Sequence, residues 1–358
     1  MLNNDGQRPG AHTWNELISQ GEVWQSVLSQ LETSPVVETI LKGNAATREW
    51  VFVGCGTSYY LAEAAAHSWT ILTGMPARSI PASEILLYPQ NIQAEGAGVQ
   101  AVVISRSGKT SEAVRAANVL VGKLNLPTIG ITCAEHSALE RECHRTILLH
   151  GVDEQSTVMT RSFTSMLISL QYLAARHAGN QSFIDQLTES AKHTSLTIQK
   201  VARELEAFVT SHSFDDYIFL GQGAWHGIAK EGALKVMEMS CSYSQFFHTL
   251  EFRHGPKAIV SERTCIFFFL DKAGHEAESE VLVEMKALGG ITVAVGNAIG
   301  AGARAHCDLI IENSPKLNDL ASLASCTIPC QLLGFFTGVK NGLNPDEPKN
   351  LSRVVILD

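Results

Sequence analysis

The chain has 358 residues, enough for about two domains rather than one small core. With 45% hydrophobic residues, 18% charged residues and a formal net charge of −9, it reads as a globular protein whose overall field repels nucleic acid and anionic membrane surfaces. No uninterrupted apolar run reaches the roughly 18 residues of a spanning helix, and residues 1–8 lack the apolar centre of a signal peptide, so the expected location is cytoplasmic.

Residues 1–12 are polar. From Thr13, apolar residues recur at helical spacing, first at Trp14, Leu17 and Ile18, then at Trp24, Val27, Leu28 and Leu31. That pattern predicts one or two helices with an apolar face to cover. A third short helix is expected over residues 36–41. Residues 50–53 read as a strand that ends at Gly54-Cys55-Gly56-Thr57-Ser58, and a helix rich in small residues follows from Tyr60. Further strands are expected at residues 77–80, 101–104, 128–131 and 145–149. Patterned helices separate them at residues 112–124, 137–142 and 162–177. Strands alternating with helices imply a parallel sheet covered on both faces. Residues 178–213 are polar with helical periodicity and read as a connector.

The pattern then repeats. Phe52-Val-Gly-Cys-Gly is echoed by Phe219-Leu-Gly-Gln-Gly, and Val102-Val-Ile-Ser-Arg-Ser-Gly by Phe268-Phe-Leu-Asp-Lys-Ala-Gly. Ile129-Gly-Ile-Thr parallels Val293-Ala-Val-Gly, and Ile147-Leu-Leu parallels Leu309-Ile-Ile, all at offsets between 162 and 167 residues. So steady an offset indicates two copies of one α/β unit. The domain reading is an N-terminal helical segment at residues 1–44, a first domain at 45–195, a second at 196–343, and a Pro-punctuated tail at 344–358 that closes the site.

In the first copy, the strand at residues 101–104 runs into Ser105-Arg106-Ser107-Gly108-Lys109-Thr110-Ser111. Hydroxyls and free N–H groups at a helix start bind anions. They also serve as N-caps, although four hydroxyls in seven residues exceed what one cap requires. Gly108-Lys109-Thr110 is not the end of a P-loop, because Val103 stands where that motif needs glycine. Gly54-Cys-Gly56 and Gly221-Gln-Gly223 are not dinucleotide fingerprints, because Tyr59 and His226 stand where the third glycine belongs. The duplicate loop, Asp271-Lys272-Ala273-Gly274, has lost the hydroxyls, and its aspartate disfavours a phosphate. Thr57, Ser58, Ser105, Ser107 and Thr110 are therefore the anion handle of the first copy.

The second copy offers different chemistry. A strand over residues 217–220 turns through Gly221 and Gly223 into a helix carrying Glu231, Lys235 and Glu238. Spacing of i, i+4 and i+7 lines them on one helical face. His254 follows in a loop, just before Gly255-Pro256. Two carboxylates, an amine and an imidazole could support proton transfer. The same spacing also suits a solvated salt-bridge face beside a surface histidine. The eight cysteines contain no Cys-x-x-Cys pair and no zinc-ligand spacing, so free thiols in a reducing compartment and no metal are expected.

Over residues 45–358 these motifs together resemble the double sugar isomerase (SIS) domain proteins. The motifs are Cys55-Gly56-Thr57-Ser58, Ser105-x-Ser107-Gly108-x-Thr110, Glu231-Gly-Ala-Leu-Lys235-x-x-Glu238 and His254-Gly-Pro. The likeness extends to the isomerase half of glutamine–fructose-6-phosphate amidotransferase and to free-standing amino-sugar-phosphate deaminases and ketose/aldose isomerases. The helix at Thr13-Trp14 and Phe252-Arg-His-Gly-Pro-Lys257 look most like the galactosamine/tagatose-phosphate branch. The resemblance implies two tandem SIS domains, each a parallel sheet flanked by helices in a flavodoxin-like αβα arrangement. It implies that Ser58, Ser105, Ser107 and Thr110, with Thr57 and Arg106 beside them, hold a sugar phosphate. Glu238 is then the base between C1 and C2, His254 assists ring opening, and Lys235 and Glu231 position substrate and base. No cofactor is called for, and the partner is a phosphorylated hexose or hexosamine. A homodimer with His254 reaching across the interface is implied.

Two departures qualify the reaction. Leu2 follows Met1, and no glutaminase-type cysteine precedes Cys55, so glutamine is not the expected nitrogen source. Arg353 and Arg161 stand where the family has lysines, and arginine is a poor Schiff-base former. Arg353 can still orient a hydroxyl or phosphate. The expected function is aldose–ketose isomerisation of a sugar phosphate, with deamination where C2 bears nitrogen. The alternatives are a fructosamine-6-phosphate deglycase and a non-catalytic sugar-phosphate sensor.

Overall fold

The computed structural model describes residues 9–43, 46–92 and 98–357. Residues 1–8 of the polar opening, Met1 and Leu2 among them, and the expected boundary at residues 44 and 45 lie outside the described residues. The chain opens with α1 (Ala11–Ile18), α2 (Gln20–Glu32) and α3 (Pro35–Gly43). Then come β1 (Glu49–Gly54), α4 (Thr57–Thr73), β2 (Ala77–Pro81), α5 (Ala82–Leu87), β3 (Val99–Ile104) and α6 (Ser111–Asn118). This half continues with β4 (Thr128–Thr132), α7 (Ala138–Glu142), β5 (Arg145–Leu148), α8 (Arg161–His177) and α9 (Gln181–Ser211). The second half runs β6 (Asp216–Leu220), α10 (Ala224–Ser240), β7 (Ser244–Phe247), β8 (Thr264–Leu270) and α11 (His275–Ala287). It ends with β9 (Ile291–Gly296), α12 (Ala301–Arg304), β10 (Leu309–Glu312) and α13 (Leu323–Lys340).

These elements group into two compact units. One comprises Glu22–Glu154, Arg161–Thr188 and the residues from Ser352 on. The other comprises the residues up to Gly21, Gln155–Thr160 and Glu189–Leu351.

In the β1–β5 unit, five parallel strands lie in the order β2-β1-β3-β4-β5. The central strands are buried on both faces, which is why their sequences are continuous apolar runs. Alternate residues of β1 divide between two layers. Trp50 and Phe52 meet Trp69 of α4, with Trp50 and Trp69 ring centroids 3.9 Å apart, and His177 of α8 packs against both tryptophans. Val51 and Val53 share the opposite core with Ile85, Ala113, Ala116 and Ala117.

The β6–β10 unit repeats the topology in the order β10-β9-β8-β6-β7, again all parallel. Ile218, Leu220, Ile266 and Phe268 join Val281, Leu282 and Met285 of α11 in one core. On the other face Phe219 and Phe267 pack 5.2 Å apart beneath α10. Each unit is thus a three-layer α/β fold, and the duplication read from the offsets is present strand for strand.

Three local features depart from the sequence expectation. β7 was not anticipated. The helix expected over residues 112–124 stops at Asn118 and widens into a π turn, Val119–Lys123, where the Leu124 N–H reaches the Val119 carbonyl at 3.0 Å. Leu320–Lys340 is long and apolar enough to cross a membrane, yet 94% of its apolar window is buried inside the structure. That degree of cover is what a core helix of a folded domain requires.

Candidate active site

In an open α/β sheet, ligands bind at the carboxyl ends of the strands where strand order reverses. In the β1–β5 unit the chain leaves β1 toward β2 and returns on the other side as β3, so the crevice lies between β1 and β3. Residues 54–58 and 105–111 follow those two strands, which explains why both hydroxyl clusters gather there.

Local chemistry shapes the cradle. Gly54 has no room for a side chain, since a Cβ would stand 2.4 Å from the Ser58 backbone. Gly56 starts α4 at φ 52° without a side-chain cap. Thr110 starts α6, and its hydroxyl makes no capping bond, so capping does not account for that hydroxyl. Ser105 Oγ lies 3.5 Å from Thr110 Oγ1, and Ser107 Oγ accepts the Lys109 N–H at 3.2 Å. Thr57 and Ser58 are buried at the α4 start. Gly108, at φ 58°, is pressed so closely on Ser137 that a Cβ would meet its side chain at 2.4 Å.

Arg106 does not fit the phosphate role expected for it. Its guanidinium is buried, pairs with Glu154 at 3.0 Å, and donates to the Arg353 carbonyl at 2.9 Å. Its charge is committed to a buried carboxylate, so it braces the loop from behind. Arg353 is itself paired with Asp153 at 2.7 Å and donates to the Glu154 carbonyl. Arg161 caps the Val152 carbonyl at 3.1 Å. The tail crosses the start of α6 in the same unit. There the Ser111 N–H donates to the Val355 carbonyl at 3.1 Å, and the Leu357 N–H donates to Ser111 Oγ at 2.9 Å.

In the β6–β10 unit, Gly223 starts α10 at φ 53°, repeating the geometry of Gly56. α10 lies against α13 with almost no side-chain spacer. A Cβ on Gly334 would meet the Lys235 carbonyl at 2.6 Å, and one on Gly338 the Met239 carbonyl at 2.2 Å. That cover seals most of the charged face. Glu231 and Lys235 are 0% exposed, while the Glu238 side chain keeps 19%. Lys235 Nζ lies 3.3 Å from Glu231 Oε1 and also bonds Glu238 Oε2. The solvated-face reading is therefore overturned. Burial alone would lower the Lys235 pKa, but Glu231 and then Glu238 outweigh it and hold the amine above the usual lysine value. Lys235 stays a cation, and Glu238 alone of the three reaches the open side.

His254 is exposed, and its imidazole makes no hydrogen bond among the described residues. The His254 backbone N–H donates to the Glu251 carbonyl at 3.0 Å, and Gly255 follows at φ 122°. Two carboxylates went unnoticed in the sequence. Glu278, almost fully buried, accepts from Thr249 Oγ1 at 3.4 Å and from the Asp271 N–H at 3.5 Å. Burial and then the Asp271 charge push its pKa up to about 7. Glu284 accepts from Arg253 Nε at 2.8 Å and Lys257 Nζ at 2.5 Å. The only sequence signal for either was an acid on a helix after a strand, which is commonplace.

Comparison with known proteins agrees with the fold. The chain is 29% identical to the glutamine–fructose-6-phosphate aminotransferase of Pyrobaculum aerophilum, over 96% of this chain and 57% of that protein. It is 27% identical to the enzyme of the same name from Methanothermobacter thermautotrophicus, over 94% of this chain and 54% of that one. The chain thus spans little more than half the length of these curated relatives. Among solved structures, glucosamine-6-phosphate deaminase of Thermotoga maritima matches with a TM-score of 0.78 and 29% identity, covering 97% of this chain and 100% of that one. Tagatose-6-phosphate ketose/aldose isomerase of Escherichia coli shares the fold, with a TM-score of 0.83 at 20% identity over 98% of each chain. The SIS domain profile matches residues 46–176 and 215–336, well over half the sequence, and the chain belongs to the SIS domain family.

Proposed function

We propose that the chain converts a phosphorylated aldose or amino sugar into its ketose. Where C2 carries nitrogen, the product imine is hydrolysed by water and ammonia leaves, without glutamine as donor. The observation that carries this reading is the buried Glu231–Lys235–Glu238 group. A buried ion cluster is a poor way to stabilise a fold, because desolvation consumes most of its Coulomb gain. Such clusters concentrate where chemistry needs them.

Ser58, Ser105, Ser107 and Thr110, with Thr57, hold the phosphate, and Arg106 braces their loop. His254 carries the ring-opening proton. The Glu238 carboxylate removes the proton from C2 of the open-chain aldose and returns it to C1 through an enediol or enamine. Lys235, held as a cation, is not a nucleophile; it keeps Glu238 in place and answers charge that develops on the substrate. Arg353 contributes to substrate contacts from the tail. We further propose a homodimer in which His254 serves the neighbouring subunit, and a reducing, cytoplasmic setting, which suits eight free cysteines. The names of the relatives, an aminotransferase labelled isomerizing and a glucosamine-6-phosphate deaminase, support this substrate class.

Glu238→Gln tests the proton carrier. It should lower kcat by about 10²–10⁴-fold, the usual range for a lost general base, while sugar phosphate still binds by calorimetry. Wild-type turnover in that variant removes Glu238 from the mechanism. Ammonia release from glucosamine, galactosamine and fructosamine 6-phosphates separates deamination from plain isomerisation and from deglycation.

A further inference from the structure

His254 sits on a stretch that has little structure of its own. A 3₁₀ turn, Glu251–Arg253, precedes it, Gly255 follows at φ 122°, and a second 3₁₀ turn spans Pro256–Ile259. Short 3₁₀ turns have poor hydrogen-bond geometry, and His254, Gly255, Ala258 and Ile259 are all exposed. What fixes the stretch comes from α11. Glu284 Oε2 accepts from Arg253 Nε at 2.8 Å, and Glu284 Oε1 accepts from Lys257 Nζ at 2.5 Å. One carboxylate thus grips the residue just before His254 and another three residues after it. Glu280 adds a looser contact to Arg253 at 3.6 Å. Phe252, fully buried, pins the same turn to the core that α11 fills with Val281, Leu282 and Met285.

We propose that Glu284 is a positioning residue for His254, a carboxylate staple that sets where the imidazole is presented. The inference rests on the role given to His254 under the proposed function. An isolated exposed ion pair contributes little to stability. This one joins two points of a single bend to a rigid helix, so its effect should appear as placement. Lys257 and then Arg253 hold the Glu284 carboxyl below the usual range, which favours the charged form that the staple needs.

The experiment compares Glu284→Gln, His254→Asn and the double variant on two substrates. One is glucosamine 6-phosphate, which must ring-open. The other is its 4,5-dideoxy analogue, which lacks the hydroxyls that close a ring. We expect Glu284→Gln to lower kcat/KM about tenfold on the cyclic substrate and to leave the open-chain analogue within twofold of wild type. The double variant should be no slower than His254→Asn alone, because both changes act through one group. Equal loss on both substrates, independent multiplication of the two losses, or wild-type rates in Glu284→Gln each overturn the staple while leaving His254 its role. If His254→Asn itself turns over the cyclic sugar normally, the ring-opening role falls, and the staple with it.

Discussion

A lysine with no exposure must find its counter-charge inside the protein, and Lys235 finds two. Removing it strands Glu231 in a site closed to water. Lys235→Met should therefore destabilise the chain by about 3–5 kcal/mol, the usual penalty for breaking a buried pair from one side. Adding Glu231→Leu should recover much of that loss while turnover stays abolished. Urea midpoints and kcat on the same preparations check this, and a Lys235→Met variant as stable as wild type would contradict it. The three-residue alignment was legible from spacing alone. Its burial was not, because the covering residues stand about a hundred positions later, on α13. Arg106 failed for a similar reason. Set among hydroxyls it suggested a phosphate ligand, but its partner Glu154 lies 48 positions away, and no local pattern announces such a pairing.

Between elements, the close approach of α10 and α13 sets where Glu238 stands. Gly334 and Gly338 leave both backbones in contact, so any side chain there must push a carbonyl of α10 aside. Gly334→Ala should cost roughly 1–3 kcal/mol, as overpacking does, and should lower activity along with stability because α10 moves. Gly122→Ala is the control. It has open space around its Cβ position and should stay within about 0.5 kcal/mol of wild type. Normal kcat in a destabilised Gly334→Ala would show that α10 tolerates the shift. The sheet cores were readable because strands buried on both faces are continuous apolar runs. β7 escaped because a four-residue edge strand, paired only to β6, needs no such run. The π turn after α6 escaped because its residues suit an ordinary helix equally well.

At the scale of the whole molecule, duplication supplies two switch-point crevices, and the copies treat them differently. After β3 the loop presents hydroxyls; after β8 the chain fills the equivalent place with its own acid. Glu278 lies so close under the loop that a Cβ on Gly274 would stand 2.9 Å from its carboxyl carbon. Asp271 in the sequence already argued against phosphate there; the internal carboxylate was not foreseen. It has a consequence for how stability depends on pH. In the unfolded chain Glu278 titrates near 4.5, whereas in the folded chain its pKa is about 7. Below 4.5 both states hold the proton, and the group adds no pH dependence. Between 4.5 and 7 the folded state keeps a proton that the unfolded state has released, so stability falls as pH rises, by up to about 1.4 kcal/mol per pH unit. Above 7 both states are ionised and the effect levels off, for a total on the order of 3 kcal/mol. Glu278→Gln removes this slope. The difference in urea-derived stability between variant and wild type should shift in favour of the variant by about that amount between pH 4.5 and pH 8, with most of the change complete by pH 7. Taking the difference cancels the titrating groups that do not interact with Glu278, so parallel curves for the two proteins would mean that Glu278 ionises in the folded state as readily as in the unfolded chain.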